Sequence, residues 1–433
     1  MRTGRYLAAL SLLGLALILI YWYASAKVRN QRKLDYADAI TRRPINYSSE
    51  YGYVIGMYYW EQLTMASNSL LDLQCWAATH KLVVVQPSLE VIASYLKFTL
   101  DESLQKQMLH LSDIYNMTEW NLYSKRHNLA PLVSRDEFLR ELVHLEKEVI
   151  LVEIHYEDVR GDHECTFNWK IESEVLKRSN HLHVSRKVCL RNNIVDIKKF
   201  NHLIFGELLP ENVIVFIREW RGIQYPPRAH INLPCESGRG EFLFSRPLSK
   251  RIMTDADAYV KKYLGGFGQY NAVVGRFEKA MDNYWTLSVD KKKAKIKALV
   301  QEAVERLSKL NEKTNVSTTF LAYDYGRYGS RTFFLQKFYQ SDDVLRQFQQ
   351  DVYGGRMSYN DWENSFSDIC HINHTGYMSL LQLVIASRAK CLLRVGWSNF
   401  LDYVTRTYLR NHPTGACMEC VPSGSKCRGY TIL

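Results

Sequence analysis

The pattern of apolar and polar positions is clearest in residues 51–87, where it predicts a strand, a helix and a second strand in close succession. Residues 53–56 form a short apolar run. Apolar residues then recur at alternating intervals of three and four, the spacing of one buried helix face; they are Leu63, Ala66, Leu70, Leu73 and Ala77. Residues 82–85 are apolar throughout, as in a strand covered on both faces. The stretch is a predicted βαβ unit, and its first turn, residues 57–62, lies where such units bind ligands.

The same alternation continues along the chain and predicts an α/β protein. Further strands are predicted at residues 149–157, 213–223, 272–275, 320–323 and 391–395, and helices at residues 256–264, 296–310, 380–389 and 401–410. Residues 222–250 are rich in proline, glycine and charge, which is typical of a domain junction. We therefore predict two Rossmann-like domains that face a cleft. The first comprises residues 51–235, with a helical insertion around residues 100–150, and the second comprises residues 250–433.

The amino-terminal region contains a candidate membrane anchor, because residues 6–26 carry no charge. At 1.5 Å per residue a helix of this length spans roughly 30 Å, the hydrocarbon thickness of a bilayer. The aromatic residues 21–23 suit the headgroup level of a membrane. A cleaved signal peptide is the alternative, because residues 24–26, Ala-Ser-Ala, have the form of a cleavage site. We predict an uncleaved signal-anchor at residues 6–26, after a cytoplasmic tail (residues 1–5) and before a stem (residues 27–50).

The orientation of this anchor follows from glycosylation signals, since lysine and arginine flank both of its ends. Four Asn-x-Ser/Thr sequons lie downstream of it, at Asn46, Asn116, Asn315 and Asn373. They predict a single-pass type II protein of the Golgi or ER membrane with a glycosylated luminal body. The net charge of +11 includes a lysine run at residues 291–297. In the lumen this run predicts a solvated helix face with some attraction for anionic ligands, and no nucleic-acid partner.

The nine cysteines suit an oxidising lumen, although an odd number leaves at least one unpaired. Cys165 and Cys189 bracket two strand-like segments and are the pair that we predict to form a disulfide. The carboxyl-terminal tail holds three more, Cys417, Cys420 and Cys427. No histidine or second cysteine pair stands at zinc-ligand spacing, so we predict a disulfide-tied tail. Cys75 and Cys391, each within an apolar element, are predicted to be buried thiols.

Three turns follow predicted strands directly, and open α/β sheets bind ligands at such turns. The first is residues 57–62. In the second, Arg276 leaves a strand, and its planar guanidinium suits a diphosphate, although an ion pair with Glu278 explains it equally well. In the third, residues 396–400, the side chain of Ser398 and free backbone N–H groups at a helix start form an anion site. A plain N-cap made by Ser398 or Asn399 is the alternative.

The order and spacing of these segments resemble the O-fucosyltransferase-like superfamily, which comprises GDP-sugar-dependent transferases with a GT-B fold. The matching segments are GYVIGMYYWEQ through LVVVQP, AVVGRFEK, LAYD and LQLVIASRAKCLLRVGWSNF. They cover residues 51–90 and 255–410 in the order of the family. The resemblance implies that Arg276 holds the β-phosphate of the donor and that Asp324 contacts the base or ribose. It also implies that Gln62 closes the first donor loop and that a set of three residues lines the diphosphate and guanine pocket: Ser398, Asn399 and Phe400.

The predicted function is transfer of fucose from GDP-fucose to a luminal glycoprotein or glycan, inverting and without a metal or other cofactor. Glu61 is our candidate for the general base that deprotonates the acceptor hydroxyl. The alternative is a luminal pseudoenzyme that binds a glycan or protein without turnover. Two departures from the family favour it, Val274 in place of a histidine and the bulky residues 58–60 in the first loop.

A third hypothesis is a metal-dependent GT-A transferase that uses Asp255 and Asp257. These residues follow a polar segment and precede an amphipathic helix. An N-cap role for Thr254 or Asp255 therefore explains the motif better.

Overall fold

The computed structural model describes part of the chain, namely residues 51–59, 63–90, 95–155, 165, 167, 177, 181–191, 197–220, 246–275, 288–316, 318–323, 375–396 and 398–421. All of these belong to one compact unit, Glu50–Leu433. The predicted tail, anchor and stem (residues 1–50) lie outside the described residues. Among the helices that are described, none combines the length and the apolar character needed to cross a bilayer.

The described elements alternate between strands and helices, which confirms the predicted α/β class. The strands are β1 (Gly52–Gly56), β2 (Leu82–Val85), β3 (Ser88–Leu89), β4 (Leu96–Lys97), β5 (Leu109–His110), β6 (Leu132–Val133), β7 (Glu148–His155), β8 (His183–Arg191), β9 (Val213–Ile217), β10 (Asn271–Gly275), β11 (Thr319–Tyr323), β12 (Cys391–Val395) and β13 (Cys417–Val421). The helices are α1 (Leu63–Ala78), α2 (Glu102–Gln105), α3 (Leu111–Ile114), α4 (Met117–Arg126), α5 (Arg135–Leu142), α6 (Ile197–Phe205), α7 (Lys250–Tyr263), α8 (Val289–Thr314), α9 (Thr375–Ser387) and α10 (Asn399–Asn411).

The first sheet has six parallel strands in the order β6-β2-β1-β9-β7-β8. Its central strands are buried on both faces, which explains why β1, β2 and β9 are apolar at nearly every position. Helix α1 follows β1 and buries the face that the sequence predicts, with Leu70 and Leu73 fully buried. A small antiparallel sheet, β4-β3-β5, lies beyond β2 in the chain. We call residues 51–220 the first lobe.

The second sheet has four parallel strands in the order β11-β10-β12-β13. The chain builds β10, adds β11 on one side and then adds β12 and β13 on the other. A parallel sheet whose strand order reverses in this way has a crevice at the point of reversal, here between β10 and β12. We call residues 246–421 the second lobe.

Disulfides are formed by several of the cysteines. The predicted Cys165–Cys189 bridge is confirmed. The buried-thiol prediction is wrong for Cys391, which is bonded to Cys417. These two residues stand opposite each other in the parallel pair β12·β13, so the bridge fastens the edge strand to the sheet. Cys75 is also disulfide-bonded, against the prediction of a buried thiol. Cys420 is disulfide-bonded too, in agreement with the predicted disulfide-tied tail.

Residues 246–249 fasten the second lobe to the first. The N–H of Asn116 donates to Pro247 O at 2.8 Å, and the Ser249 hydroxyl donates to Asp113 O at 2.6 Å. Leu248 forms an antiparallel bridge with Tyr115. Ser249 also caps helix α7 by accepting a hydrogen bond from the N–H of Ile252. The start of α7 is therefore set by contacts with the first lobe.

Candidate functional site

Three strand ends of the second sheet lie side by side at one level. Gly275, the last residue of β10, pairs with Tyr323 of β11 on one side and with Val395 of β12 on the other. All three strands are parallel, so the chain leaves each of them at the same edge of the sheet. This edge includes the point where the strand order reverses, which is where open α/β sheets hold ligands.

The sequence predictions converge on this edge. Arg276 follows Gly275 in the chain, and Asp324 follows Tyr323. Both residues, together with Glu61 and Gln62 of the first loop, lie outside the described residues, so their roles stay predictions. The described strand ends nevertheless account for the proximity that the motifs require, because consecutive residues are only about 3.8 Å apart between Cα atoms.

The turn after β12 is shaped by a glycine and a serine. Gly396 has a φ of +84°, a left-handed conformation that side chains other than glycine rarely adopt. Ser398 is 2% exposed, and its hydroxyl accepts a hydrogen bond from the N–H of Leu401 at 3.1 Å. Ser398 thus caps α10, which is the N-cap alternative raised by the sequence, and its side chain is engaged within the protein.

The start of α10 still offers two backbone donors. Among the described residues, the N–H groups of Asn399 and Phe400 have no hydrogen-bond partner. Such groups, at the positive end of a helix of 13 residues, favour an anion. The Phe400 side chain is half-buried against the core. The anion-binding capacity of this turn therefore lies in its backbone.

A buried ion pair supports the turn from below. Arg394, the penultimate residue of β12, is 4% exposed and donates to Asp402 at 3.1 Å and to Thr405 at 3.1 Å. Asp402 and Thr405 both lie on α10. The pair therefore fixes the first turns of α10 over the end of β12, on the side of the sheet where the strand ends meet.

The first loop departs from a phosphate-binding turn. In its described part, residues 57–59, two N–H groups are already paired, since Met57 donates to Ile217 O at 2.8 Å and Tyr59 donates to Leu96 O at 3.0 Å. Tyr59 is fully buried, and a Cβ atom at Gly56 would lie 2.6 Å from its ring. In dinucleotide-binding turns the space beside a glycine admits the ligand. Here the Tyr59 ring occupies that space, and its burial raises the pKa of the hydroxyl well above the usual value.

Helices α1 and α10 connect the carboxyl ends of the two sheets, because each helix follows a strand of a different sheet and the two helices are in contact. The helices pack against each other, and Arg246 lies between their second turns. Its guanidinium donates to Asn68 of α1 and lies 5.5 Å from the ring centroid of Tyr403 on α10. Each helix begins at the carboxyl end of a strand, α1 after β1 and α10 after β12. The first loop and the α10 turn are therefore held at neighbouring edges.

A charged pair in the first lobe was not predicted from the sequence. Glu153, near the end of β7, is 7% exposed and accepts a hydrogen bond of 2.6 Å from Arg218, which follows β9 directly. The Glu153 carboxylate also accepts from the N–H of Phe167 at 3.2 Å. Both residues lie at the carboxyl edge of the first sheet, Arg218 after β9, which pairs with β1, and Glu153 on β7, which pairs with the other side of β9. The sequence does contain a signal for this pair, since Glu153 and Arg218 are charges at the ends of otherwise apolar strands.

The position of the family histidine is occupied by Val274. It is 2% exposed and forms part of the hydrophobic core. A polar contribution from this position is therefore absent.

The Asp-x-Asp motif lies inside helix α7, which begins at Lys250 with Ser249 as its N-cap. The N-cap role predicted for Thr254 or Asp255 is therefore wrong. Asp255 accepts a hydrogen bond of 2.5 Å from the Tyr377 hydroxyl, and Asp257 forms an ion pair with Arg388. Within the described part of the chain, no group of three histidine, cysteine or acidic side chains is arranged to hold a metal. Asp255 and Asp257 are thus engaged with other side chains of the protein, which argues against the GT-A hypothesis.

No family model and no curated protein sequence matches the chain. Its structure is similar to that of POFUT1 in complex with GDP, at a TM-score of 0.49 and 11% identity over 87% of this chain and 99% of the other. The NodZ alpha-1,6-fucosyltransferase soaked with GDP-fucose has a TM-score of 0.34 and 12% identity over 82% and 92%. A mutant of Arabidopsis thaliana FUT1 with GDP has a TM-score of 0.33 and 11% identity over 88% and 77%. The NodZ enzyme is a fucosyltransferase, the class of protein that the sequence motifs resemble.

Proposed function

We propose that the protein is a GT-B-type glycosyltransferase that transfers fucose from GDP-fucose to a luminal glycoprotein or glycan, without a metal ion. In this proposal it is a type II membrane protein of the Golgi or ER, anchored by residues 6–26. The carrying observation is the common level of Tyr323, Gly275 and Val395, since Asp324, Arg276 and the Gly396 turn follow these strand ends in the chain. The proposed donors for a diphosphate are therefore the Arg276 guanidinium and the backbone N–H groups at the start of α10.

In the proposed mechanism, different residues bind the different parts of the sugar-nucleotide donor. Arg276 and the N–H groups of Asn399 and Phe400 would neutralise the diphosphate as it leaves, which lowers the barrier to breaking the bond to the sugar. Asp324 would hold the ribose or the base. The acceptor hydroxyl would attack the anomeric carbon from the opposite face and invert it, and Glu61 would take its proton. The Arg276 cation and the backbone dipoles then supply the charge neutralisation that a bound metal ion supplies in metal-dependent transferases.

A ligand panel tests this proposal. We expect GDP to stabilise the purified full-length protein more than UDP or CMP does, and equally with EDTA or Mn²⁺. Stabilisation by a ligand follows RT ln(1 + [L]/Kd), so GDP at about 100 times its Kd adds roughly 2.7 kcal/mol. The measurement is the melting temperature at matched nucleotide concentrations. Greater stabilisation by UDP, or a requirement for Mn²⁺, contradicts the proposal.

A second candidate function is binding without turnover. The observation that favours it is the Tyr59 ring over Gly56, together with the apolar Val274. The two candidates differ in the fate of the donor. A transferase releases GDP from GDP-fucose when an acceptor is present, whereas a pseudoenzyme that retains the site binds GDP-fucose and leaves it intact.

A further inference from the structure

Helix α8 is longer than the sheet on which it packs. It has 26 residues and therefore a length of about 39 Å. The strand before it, β10, has five residues and spans roughly 17 Å. The strand is less than half as long as the helix, so more than half of the helix extends beyond the strand.

The carboxyl-terminal end of α8 is fixed at the start of the sheet. The Asn271 side-chain amide, on the first residue of β10, donates to Asn311 at 2.7 Å and to Thr314 at 2.9 Å. The Lys390 ammonium, just before β12, donates to Thr314 O at 2.8 Å. A helix that ends at the beginning of parallel strands runs back against them, so its amino-terminal half extends past the sheet on the carboxyl side.

Burial along α8 agrees with this geometry. The positions that pack into the core are Ala303, Leu307 and Leu310, at 1%, 3% and 0% exposure. Between residues 289 and 302, which we call the arm, none of the described side chains is buried. Lys291 and Lys295, one turn apart, are both exposed. The described side chains of the arm therefore lie outside the core, on the side of the sheet where the strand ends meet.

Charge is unevenly distributed along α8. Residues 291–297 contain five lysines, and the arm has only Asp290 as an acid before Glu302. From Glu302 onward the charges are mixed, beginning with the Glu302–Arg306 ion pair at 2.8 Å. The basic block coincides with the arm, so it is a property of this segment rather than of the whole helix.

We propose that the arm binds the acceptor, and that the acceptor is an acidic glycan bearing sulfate or carboxylate groups; this rests on the function proposed above. Residues 291–297 extend over about 9 Å of helix, so they suit a ligand with several spaced anionic groups better than one diphosphate. Lysine ammonium groups are flexible, hydrated point charges, as expected where anionic groups are met in solvent.

Other polyanions fit the arm less well. Its sequence, residues 289–302, contains no aromatic residue. Stacking of aromatic side chains on bases is the usual support for single-stranded nucleic acid. A protein partner is held mainly by large buried anchors, which the described exposed positions of the arm, occupied by lysine, alanine and glutamine, do not provide.

The test compares two charge reversals on one helix. The first double variant is Lys291→Glu with Lys295→Glu in the arm. The matched control is Lys309→Glu with Lys313→Glu, a pair that is also exposed and one turn apart but lies on the packed half of α8. Both change the net charge equally. Binding of the full-length protein to immobilised heparin oligosaccharide, and to vesicles with and without phosphatidylserine, is measured at low and physiological salt.

We expect the arm variant to bind the oligosaccharide roughly five- to thirtyfold more weakly, and the control to change less than about threefold, since each exposed ion pair contributes little alone. Physiological salt should reduce the difference, because surface charges are screened. Equal losses in both variants would overturn the proposal, and so would no oligosaccharide binding or binding to anionic vesicles alone. Stabilisation by GDP should be the same in all three proteins. If GDP fails to bind any of them, the donor proposal fails, while the comparison of the two variants still decides the role of the arm.

Discussion

Replacing Arg276 with alanine is expected to weaken GDP binding roughly 10- to 150-fold. A hydrogen bond to a charged group contributes about 1.5–3 kcal/mol, and Arg276 follows directly on the strand end Gly275, where the diphosphate would lie. Lysine should restore little of this affinity, because a point charge on a flexible stem lacks the two-pronged geometry of a guanidinium. The measurement is calorimetric titration of the full-length variants with GDP.

A control variant separates a specific role from a change in net charge. Arg140→Ala removes an exposed arginine from α5 in the first lobe and should leave GDP affinity unchanged. The melting temperature of Arg276→Ala should stay close to that of the wild type. A lower melting temperature with unaltered GDP affinity would instead identify the residue as a structural partner of Glu278, and would remove the main support for the donor site.

Truncation of Tyr59 to alanine is expected to lower the free energy of unfolding by about 3–5 kcal/mol, the usual cost of removing a buried aromatic ring. The ring is fully buried and fills the space over Gly56, so its loss leaves a cavity at the end of β1. The measurement is chemical denaturation of the full-length protein. A loss of unfolding free energy below about 1 kcal/mol would show that the loop closes over the cavity, and that the Tyr59 ring is not needed to fill this space.

The Tyr59→Phe variant isolates the hydroxyl. Among the described residues this oxygen makes no hydrogen bond of normal geometry, although the Gly56 backbone lies near enough to oppose the rise in its pKa. An unpaired buried polar group costs about 1–3 kcal/mol, so phenylalanine should leave stability unchanged or raise it. A loss comparable to that of the alanine variant would mean that the hydroxyl has a partner that stabilises the fold, and the loop would then be a polar site rather than a filled one.

Local pattern in the sequence was sufficient for most of the second sheet. Strand β12 begins and ends where the apolar run predicts, and the predicted helix 296–310 contains the buried Leu307 and Leu310 of α8. The ends of helices were predicted less well. Helix α7 starts six residues before the predicted Ala256, because its cap, Ser249, is set by a contact with Asp113 in the other lobe. No local pattern contains that information.

The candidate site divides in the same way. That Gly275, Tyr323 and Val395, the strand ends before the candidate residues, lie at one level was predictable, because the strands are parallel. The filling of the first loop was not, since it depends on how the Tyr59 ring folds back over Gly56. The contact of Arg246 with Asn68 and Tyr403 joins residues far apart in the chain and has no signature in sequence.

The location of the nucleotide is the central claim, and photoaffinity labelling tests it most directly. The full-length protein would be irradiated with a guanine-azido derivative of GDP in EDTA, with and without excess GDP, and the labelled peptides sequenced. We predict labelling, abolished by GDP, in the segments that follow Gly275, Tyr323 and Val395. Labelling confined to the first lobe, or labelling that excess GDP does not displace, would contradict a donor site at the edge of the second sheet.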